Sequence, residues 1–153
     1  MSVLTAEELN EVIDIVWQTV FDLPVGQGEV ADVNKREHCT AKIGISGAWN
    51  GAVHVRAEVA FLTRGASRMF SIQPEEVNRQ DRIDTICELT NMLGGTVKCL
   101  LPESCDLTLP EMLNKDTRET GMFDWHYFNC AGYSLAMSVV GQVAEVPKSQ
   151  AVN

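Results

Sequence analysis

The sequence predicts an α+β fold, a single domain in which helices pack on one antiparallel β-sheet. Helical and strand-like patterns occur in the order one helix, two strands, further helices and three strands, which is typical of this class. The chain has 153 residues, 45% of them hydrophobic, and this length suits one core rather than two. We therefore expect one domain over residues 1–145 and a C-terminal tail over residues 146–153.

The first predicted element is an amphipathic helix near the N-terminus. Thr5 and Glu8 have the spacing of a capping box, in which each residue bonds the backbone of the other. Apolar residues then recur at helical spacing to about Phe21. The following stretch, residues 26–35, is polar and is expected to be irregular.

A β-hairpin is predicted next. Residues 38–46 and 52–61 each alternate between apolar and polar side chains, as half-buried strands do. The five residues between them, 47–51, have glycine at both ends, and Asn50 before the second glycine suits a turn with positive φ angles.

Helices are expected to follow the hairpin. Residues 62–71 suggest a short helix, and Pro74 has the position of a proline in the first turn of another. Asn78 or Asp81 then caps a long central helix that ends before Pro102.

Three strands complete the prediction. Residues 105–109, 123–130 and 133–143 alternate in the strand manner, and residues 131–132 form a tight turn between the last two.

Composition excludes several classes of partner. The net charge is -9, and the longest basic cluster is Lys35-Arg36, so neither nucleic acid nor an anionic membrane is an expected partner. The N-terminal residues lack the basic and apolar regions of a secretory signal, and no apolar stretch is long enough to span a bilayer. A cytoplasmic protein is therefore expected.

Cysteine, histidine and tryptophan residues give little indication of chemistry. The five cysteines form no Cys-x-x-Cys pair, which predicts reduced and mostly buried thiols rather than disulfides or a zinc site. His38, His54 and His126 lie on separate predicted strands without metal-ligand spacing, so no metal site is predicted. The tryptophans are interpreted as core or interface aromatics, and they are Trp17, Trp49 and Trp125.

The central helix carries the candidate site. Its predicted buried face follows Ile86, Leu93 and Leu100, with Leu89 and Val97 beside that line. The opposite face is polar and consists of Asp84, Glu88, Asn91, Gly95 and Lys98. Gly94 and Gly95 each cost a helix interior about 1 kcal/mol relative to alanine, which suggests that something must approach the helix closely.

The spacing of these polar residues is more specific than any fragment of it. Glu-x-x-Asn occurs four times in the chain, but Asp/Ser-x-x-x-Glu-x-x-Asn occurs only from Ser71 and from Asp84. Pro74 interrupts the first of these, because proline breaks the continuous helical face that three such side chains would share. Asp84, Glu88 and Asn91 therefore remain as the credible copy.

With that motif the chain resembles the CheC/CheX/FliY phosphatases of bacterial chemotaxis. The resemblance rests on Asp84-x-x-x-Glu88-x-x-Asn91, on Gly94-Gly95 after it, and on the hairpin sequences IGISG at 43–47 and GAVHV at 51–55. This chain has one credible copy of the motif, in which it is similar to proteins of the CheX type, whereas CheC proteins have two copies. CheX-type proteins are typically homodimers. The family pattern has a proline downstream of the asparagine, slightly farther along than Pro110.

The resemblance implies an enzyme that hydrolyses the aspartyl phosphate of the response regulator CheY. It implies that Asn91 positions the attacking water and that Glu88 pairs with a lysine of the regulator. Mg²⁺ is then expected in the partner and no cofactor in this chain. Further contacts with the regulator are expected from Asp84, Gly94, Gly95 and Lys98.

Three alternatives remain open at this point. The polar face could be a solvated stripe without function, which composition and periodicity alone would favour. The protein could be an adaptor that binds a receiver domain without hydrolysing its phosphate. It could also be a small-molecule-binding α+β domain, for which a closed apolar pocket would be expected.

Overall fold

The computed structural model describes residues 4–23, 25–27, 32–101, 104–114 and 123–141. Its helices are α1 (Ala6–Val20), α2 (Asp32–Lys35), α3 (Val59–Phe70) and α4 (Arg79–Leu100), with a 3₁₀ turn at Pro74–Glu76. Its strands are β1 (Val25–Gln27), β2 (His38–Gly47), β3 (Gly51–Glu58), β4 (Cys105–Leu107), β5 (Glu111–Met112), β6 (His126–Cys130) and β7 (Tyr133–Gly141).

The described strands form one antiparallel sheet. Their order is β1-β6-β7-β3-β2-β4, and β5 also pairs with β2. α1 and α3 both contact α4, and α4 packs on β2 and β3. This arrangement confirms the predicted α+β class, with helices packed on an antiparallel sheet.

α1 begins with the predicted capping box. The Thr5 hydroxyl accepts a hydrogen bond from the Glu8 backbone N–H at 3.1 Å, and the Thr5 N–H donates to the Glu8 carboxylate at 3.0 Å. Trp17 on this helix is fully buried and packs against Phe21, Phe61 and Phe128, with ring centroids 5.1 to 6.0 Å away. The interpretation of Trp17 as a core aromatic is confirmed.

The predicted hairpin is present, with a shorter loop than expected. β2 continues through Gly47 and β3 begins at Gly51, so three residues rather than five connect them. The Asn50 side chain closes this loop by bonding the backbone of Gly47, whose φ is +128°. A Cβ at Gly51 would collide with the Trp49 ring, which explains the glycine at the strand start.

Several element boundaries differ from the prediction. β3 ends at Glu58, and α3 begins at Val59 rather than at residue 62. The apolar run at this junction fits either a strand or a helix. Burial of Phe61 and Leu62 in the hydrophobic core stabilises the helix. β4 ends at Leu107, two residues earlier than predicted.

The sequence did not predict β1, α2 or β5. The stretch 26–35, expected to be irregular, contains the end of β1 and all of α2. β1 is defined by pairing with β6, and β5 by pairing with β2, so neither has a periodicity of its own. Elements of two to four residues are too short for a hydrophobic pattern to be recognised.

The C-terminal strands form a second hairpin. Ala131 and Gly132 both have positive φ, 50° and 84°, as the predicted tight turn between β6 and β7 requires. β6 begins at His126 instead of residue 123. β7 is described through Gly141, so the rest of the predicted strand and the tail 146–153 lie outside the described residues.

Within the described part of the chain, no helix is both long enough and apolar enough to cross a membrane.

Candidate active site

The long helix α4 begins at the predicted cap. Asn78 is the N-cap residue, and its side chain accepts a hydrogen bond from the Asp81 N–H at 2.9 Å. The Asp81 carboxylate in turn accepts from the Asn78 N–H at 3.0 Å. Both predicted candidates therefore take part in one capping box, which fixes the start of the helix at Arg79.

The buried face of α4 fixes its rotation on the sheet. Ile86, Leu89, Leu93 and Val97 are fully buried. Leu100 was predicted on this face but is 42% exposed, because it is the last residue of the helix and the buried stripe ends one turn earlier.

The predicted polar face points to solvent. Asp84, Glu88 and Asn91 are all exposed, on successive turns of the helix. Asp84 accepts a hydrogen bond from the Gln80 side chain at 2.8 Å. Among the described residues, no side-chain hydrogen bond or ion pair engages Glu88 or Asn91. A carboxylate and an amide are thus available to another molecule one turn apart.

These three side chains line an open groove with a volume of about 550 Å³. Phe70 at the end of α3, and Leu109 and Pro110 between β4 and β5, line the same groove. Leu109 is 87% exposed and Phe70 is 42% exposed, so the groove combines acidic and amide groups with two exposed apolar side chains. We call Phe70 and Leu109 the apolar rim.

The apolar rim was not predicted from the sequence. Leu109 is predicted inside a strand, but the strand ends at Leu107 and leaves Leu109 exposed. Phe70 is separated from the motif by the 3₁₀ turn and the first part of α4. An exposed large hydrophobic residue becomes recognisable as unusual only when the rest of the core is known. Pro110 lines the same groove, beside the motif.

Cys87 is the groove residue with a perturbed pKa. Partial burial raises the pKa of its thiol above the ordinary value of 9.0, and the negative charge of Asp84 adds to this. The described groove lining contains no histidine that could act as a base. The site is therefore poorly suited to a cysteine nucleophile, which requires the thiolate form.

The two adjacent glycines have different environments. Gly94 was expected to contact a partner, but it is buried, and a Cβ there would lie 2.7 Å from Ile43 Cγ2 on β2. That expectation is wrong, because Gly94 lets the helix approach the sheet closely. Gly95 has nothing within 4 Å of its Cβ position, so it remains available for close approach from outside.

Lys98 lies away from the other predicted site residues that line the groove. Lys98 is half-buried in the last turn of α4 and does not line the groove. The groove brings Asp84, Glu88 and Asn91 together, but its lining includes none of Gly94, Gly95 and Lys98. Across the described ranges, no group of three or more His, Cys, Asp or Glu residues could hold a metal ion.

Fold and site define a small α+β domain that presents a carboxylate and an amide on an exposed helix. The family model described as "Chemotaxis phosphatase CheX" matches residues 39–120, more than half of the chain. The chain belongs to this family, which confirms the resemblance inferred from the motif. No curated protein sequence matches it.

Solved structures show the same fold. CheX from Vibrio vulnificus is similar with a TM-score of 0.71 and 16% identity, over 89% of this chain and 95% of that one. A CheC-like superfamily protein from Shewanella sp. PV-4 has a TM-score of 0.68 and 17% identity, over 92% and 100%. CheX from Borrelia burgdorferi, solved in a complex with CheY, BeF₃ and Mg²⁺, has a TM-score of 0.65 and 10% identity, over 90% and 97%.

Proposed function

We propose that this protein hydrolyses the aspartyl phosphate of a CheY-like receiver domain in the cytoplasm. The observation that carries the proposal is the pair Glu88 and Asn91, exposed one turn apart without partners among the described residues. This chain belongs to the CheX family, and its Glu88 and Asn91 line an open groove that a second protein can reach. The complex of the Borrelia relative with CheY supports a receiver domain as the partner.

Asn91 would position the attacking water. A carboxamide can donate one hydrogen bond and accept another, so it can hold a water in line with the phosphorus without adding charge beside the phosphoryl group. An amide that orients water is a recurring solution in phosphoryl transfer. Mg²⁺ would be held by the receiver domain, so this chain need not bind a cofactor.

Glu88 would pair with a lysine of the receiver domain. Its carboxylate is exposed and precedes Asn91 by one helical turn, so this ion pair would fix the position from which the amide acts. Asp84 would add negative charge one turn earlier, with its orientation set by the Gln80 bond. Gly95 would let the receiver's loops pass close to the helix, because no atom beyond the local helix backbone lies within 4 Å of its Cβ position.

The apolar rim would contribute affinity for the receiver. Leu109→Ser is expected to raise KM for the phosphorylated receiver about tenfold with little change in kcat, because Leu109 loses apolar contact area that is buried only on binding. Steady-state kinetics of phosphate release measures both constants.

Ile15→Ser is the matched control for this variant. Ile15 is 55% exposed on α1 and does not line the groove. The Ile15→Ser variant should have a KM within a factor of about two of the wild-type value. Equal effects of the two substitutions would contradict a docking role for the rim.

The proposal is tested by adding the purified protein to a panel of phosphorylated receiver domains from its own genome and following the loss of phosphate. We expect one receiver, or a small group of them, to lose phosphate faster than its own autohydrolysis allows. Tight binding to a receiver without faster loss would favour the adaptor function instead. CheY is the first member of the panel to try.

We also propose a homodimer, as is typical of CheX-type proteins. Short strands, β1 and β4, stand at the two ends of the described strand order and leave backbone groups open to pairing. Sedimentation equilibrium at micromolar concentration should give about twice the chain mass of 16.9 kDa. A mass of one chain under these conditions would contradict the dimer.

A further inference from the structure

A second concave surface lies apart from the groove and is rich in arginine. It has a volume of about 760 Å³ and lies where the start of β2, the first turn of α4 and the chain around β5 come together. Its basic lining residues are Arg36, Arg56, Arg79, Arg82, His38 and His54. We call it the basic cavity. It shares no described lining residue with the groove.

The charge of the basic cavity is opposite to that of the chain. Four of the twelve lysines and arginines line it, in a protein of net charge -9. Glu37 is the sole carboxylate among its described lining residues. No residue of the described ranges forms an ion pair with Arg36, Arg79 or Arg82. Several positive charges therefore face one concavity without an internal counterion from this part of the chain.

Arg56 is held in place in this cavity. Its Nε donates to the Thr40 hydroxyl at 3.0 Å and one Nη to the Asn34 side-chain oxygen at 2.7 Å. Its guanidinium lies 4.5 Å from the centre of the Trp125 ring. Such a side chain is pre-organised, so little conformational entropy is lost when it binds a ligand.

Aromatic rings form another part of the lining. The Phe123 and Trp125 rings lie 5.5 Å apart, and the Phe123 ring is 4.7 Å from that of His54. A ligand that fits both surfaces carries anionic groups for the arginines and a flat aromatic group for these rings. The volume lies within the range of small-molecule sites, about 300 to 1,000 Å³.

We propose that the basic cavity binds a nucleotide, with phosphates at Arg36, Arg79 and Arg82 and the base against the aromatic residues. Arginine side chains, rather than a glycine-rich loop, would hold the phosphates here. The site is independent of the phosphatase proposal, because its lining is separate from that of the groove.

Calorimetric titration of the full chain with ATP at constant ionic strength tests this site. We expect saturable binding of one ATP per chain with Kd below about 1 mM. Arg79→Gln combined with Arg82→Gln should weaken it about tenfold or more, because two charge-assisted contacts to phosphate are lost. Arg36→Gln, at another exposed position in the lining, should also weaken ATP binding.

Arg64→Gln combined with Arg68→Gln is the matched control. Both residues are exposed on α3, outside the basic cavity, and the change in net charge is the same. This variant should bind ATP within a factor of about two of wild type. Equal weakening by both double variants, or no saturation up to about 10 mM ATP, would overturn the proposal.

Two further ligands test the chemical class. Adenosine and pyrophosphate should each bind more weakly than ATP, because each fills only one part of the lining. Pyrophosphate that binds as tightly as ATP would overturn the role of the aromatic rings in the lining. Adenosine that binds as tightly would overturn the role of the arginines.

Discussion

Asn91→Ala is expected to lower turnover of the phosphorylated receiver domain about 10²- to 10³-fold, the usual loss for a single positioned donor in a transition state. The Asn91 side chain is exposed and has no partner in the described structure, so its removal opens no cavity. Alanine also has a higher helix propensity than asparagine. The loss should therefore appear in kcat, with the fold and the affinity for the receiver unchanged.

Two control variants separate the role of Asn91 from general effects. Gln18→Ala removes an exposed amide from α1 and should leave turnover unchanged. Glu88→Ala should weaken receiver binding as well as turnover, because an ion pair with the receiver's lysine can form before the reaction begins. Circular dichroism verifies that each variant is folded. A folded Asn91→Ala protein with wild-type turnover would contradict the proposed mechanism.

Gly94→Leu is expected to destabilise the fold by about 3 kcal/mol or more, the upper end of the range for overpacked cores. Even a Cβ at this position would lie 2.7 Å from Ile43 Cγ2. Ile43 is fully buried on β2 and is β-branched, so its side chain has little freedom to move aside. The helix would have to move away from β2. Urea denaturation followed by circular dichroism measures the change in the free energy of unfolding.

Gly95→Leu is the matched control, because the same side chain is added one position further along. Nothing lies within 4 Å of its Cβ, so the helix should gain up to about 1 kcal/mol from the loss of glycine. Receiver binding should nevertheless weaken, since the new side chain stands on the line of Glu88 and Asn91. Equal stability of the two variants would contradict the packing role of Gly94, and unchanged receiver affinity of Gly95→Leu would exclude this surface from docking.

The larger elements could be predicted because each has its own local signal. The capping boxes at Thr5 and Asn78 mark the starts of α1 and α4, and the positive φ angles at Ala131 and Gly132 suit the turn predicted there. β1 and β5 could not be predicted, because pairing with distant strands defines them.

The candidate site could be predicted only along α4 itself. Helical periodicity placed Asp84, Glu88 and Asn91 on one exposed line, as the structure has them. Gly94 lies at the edge of that face, and its burial depends on how deeply the helix packs on Ile43. Phe70 and Leu109 reach the groove from other elements, so no spacing within the sequence connects them with the motif.

The enzyme and the adaptor differ in the fate of the bound receiver domain. Both would use the exposed face of α4 and the apolar rim to hold a receiver domain. Only the enzyme requires an amide placed to orient water, and only the enzyme returns to its starting state after each phosphate is released. Affinity measurements alone therefore cannot separate the two.

Turnover at substoichiometric protein tests the central claim most directly. Wild-type protein is mixed with about a hundredfold excess of phosphorylated receiver domain, and the released phosphate is counted per protein chain. We expect many phosphates per chain, at a rate well above the receiver's autohydrolysis. Saturable binding of the receiver with no phosphate released beyond autohydrolysis would contradict the phosphatase function.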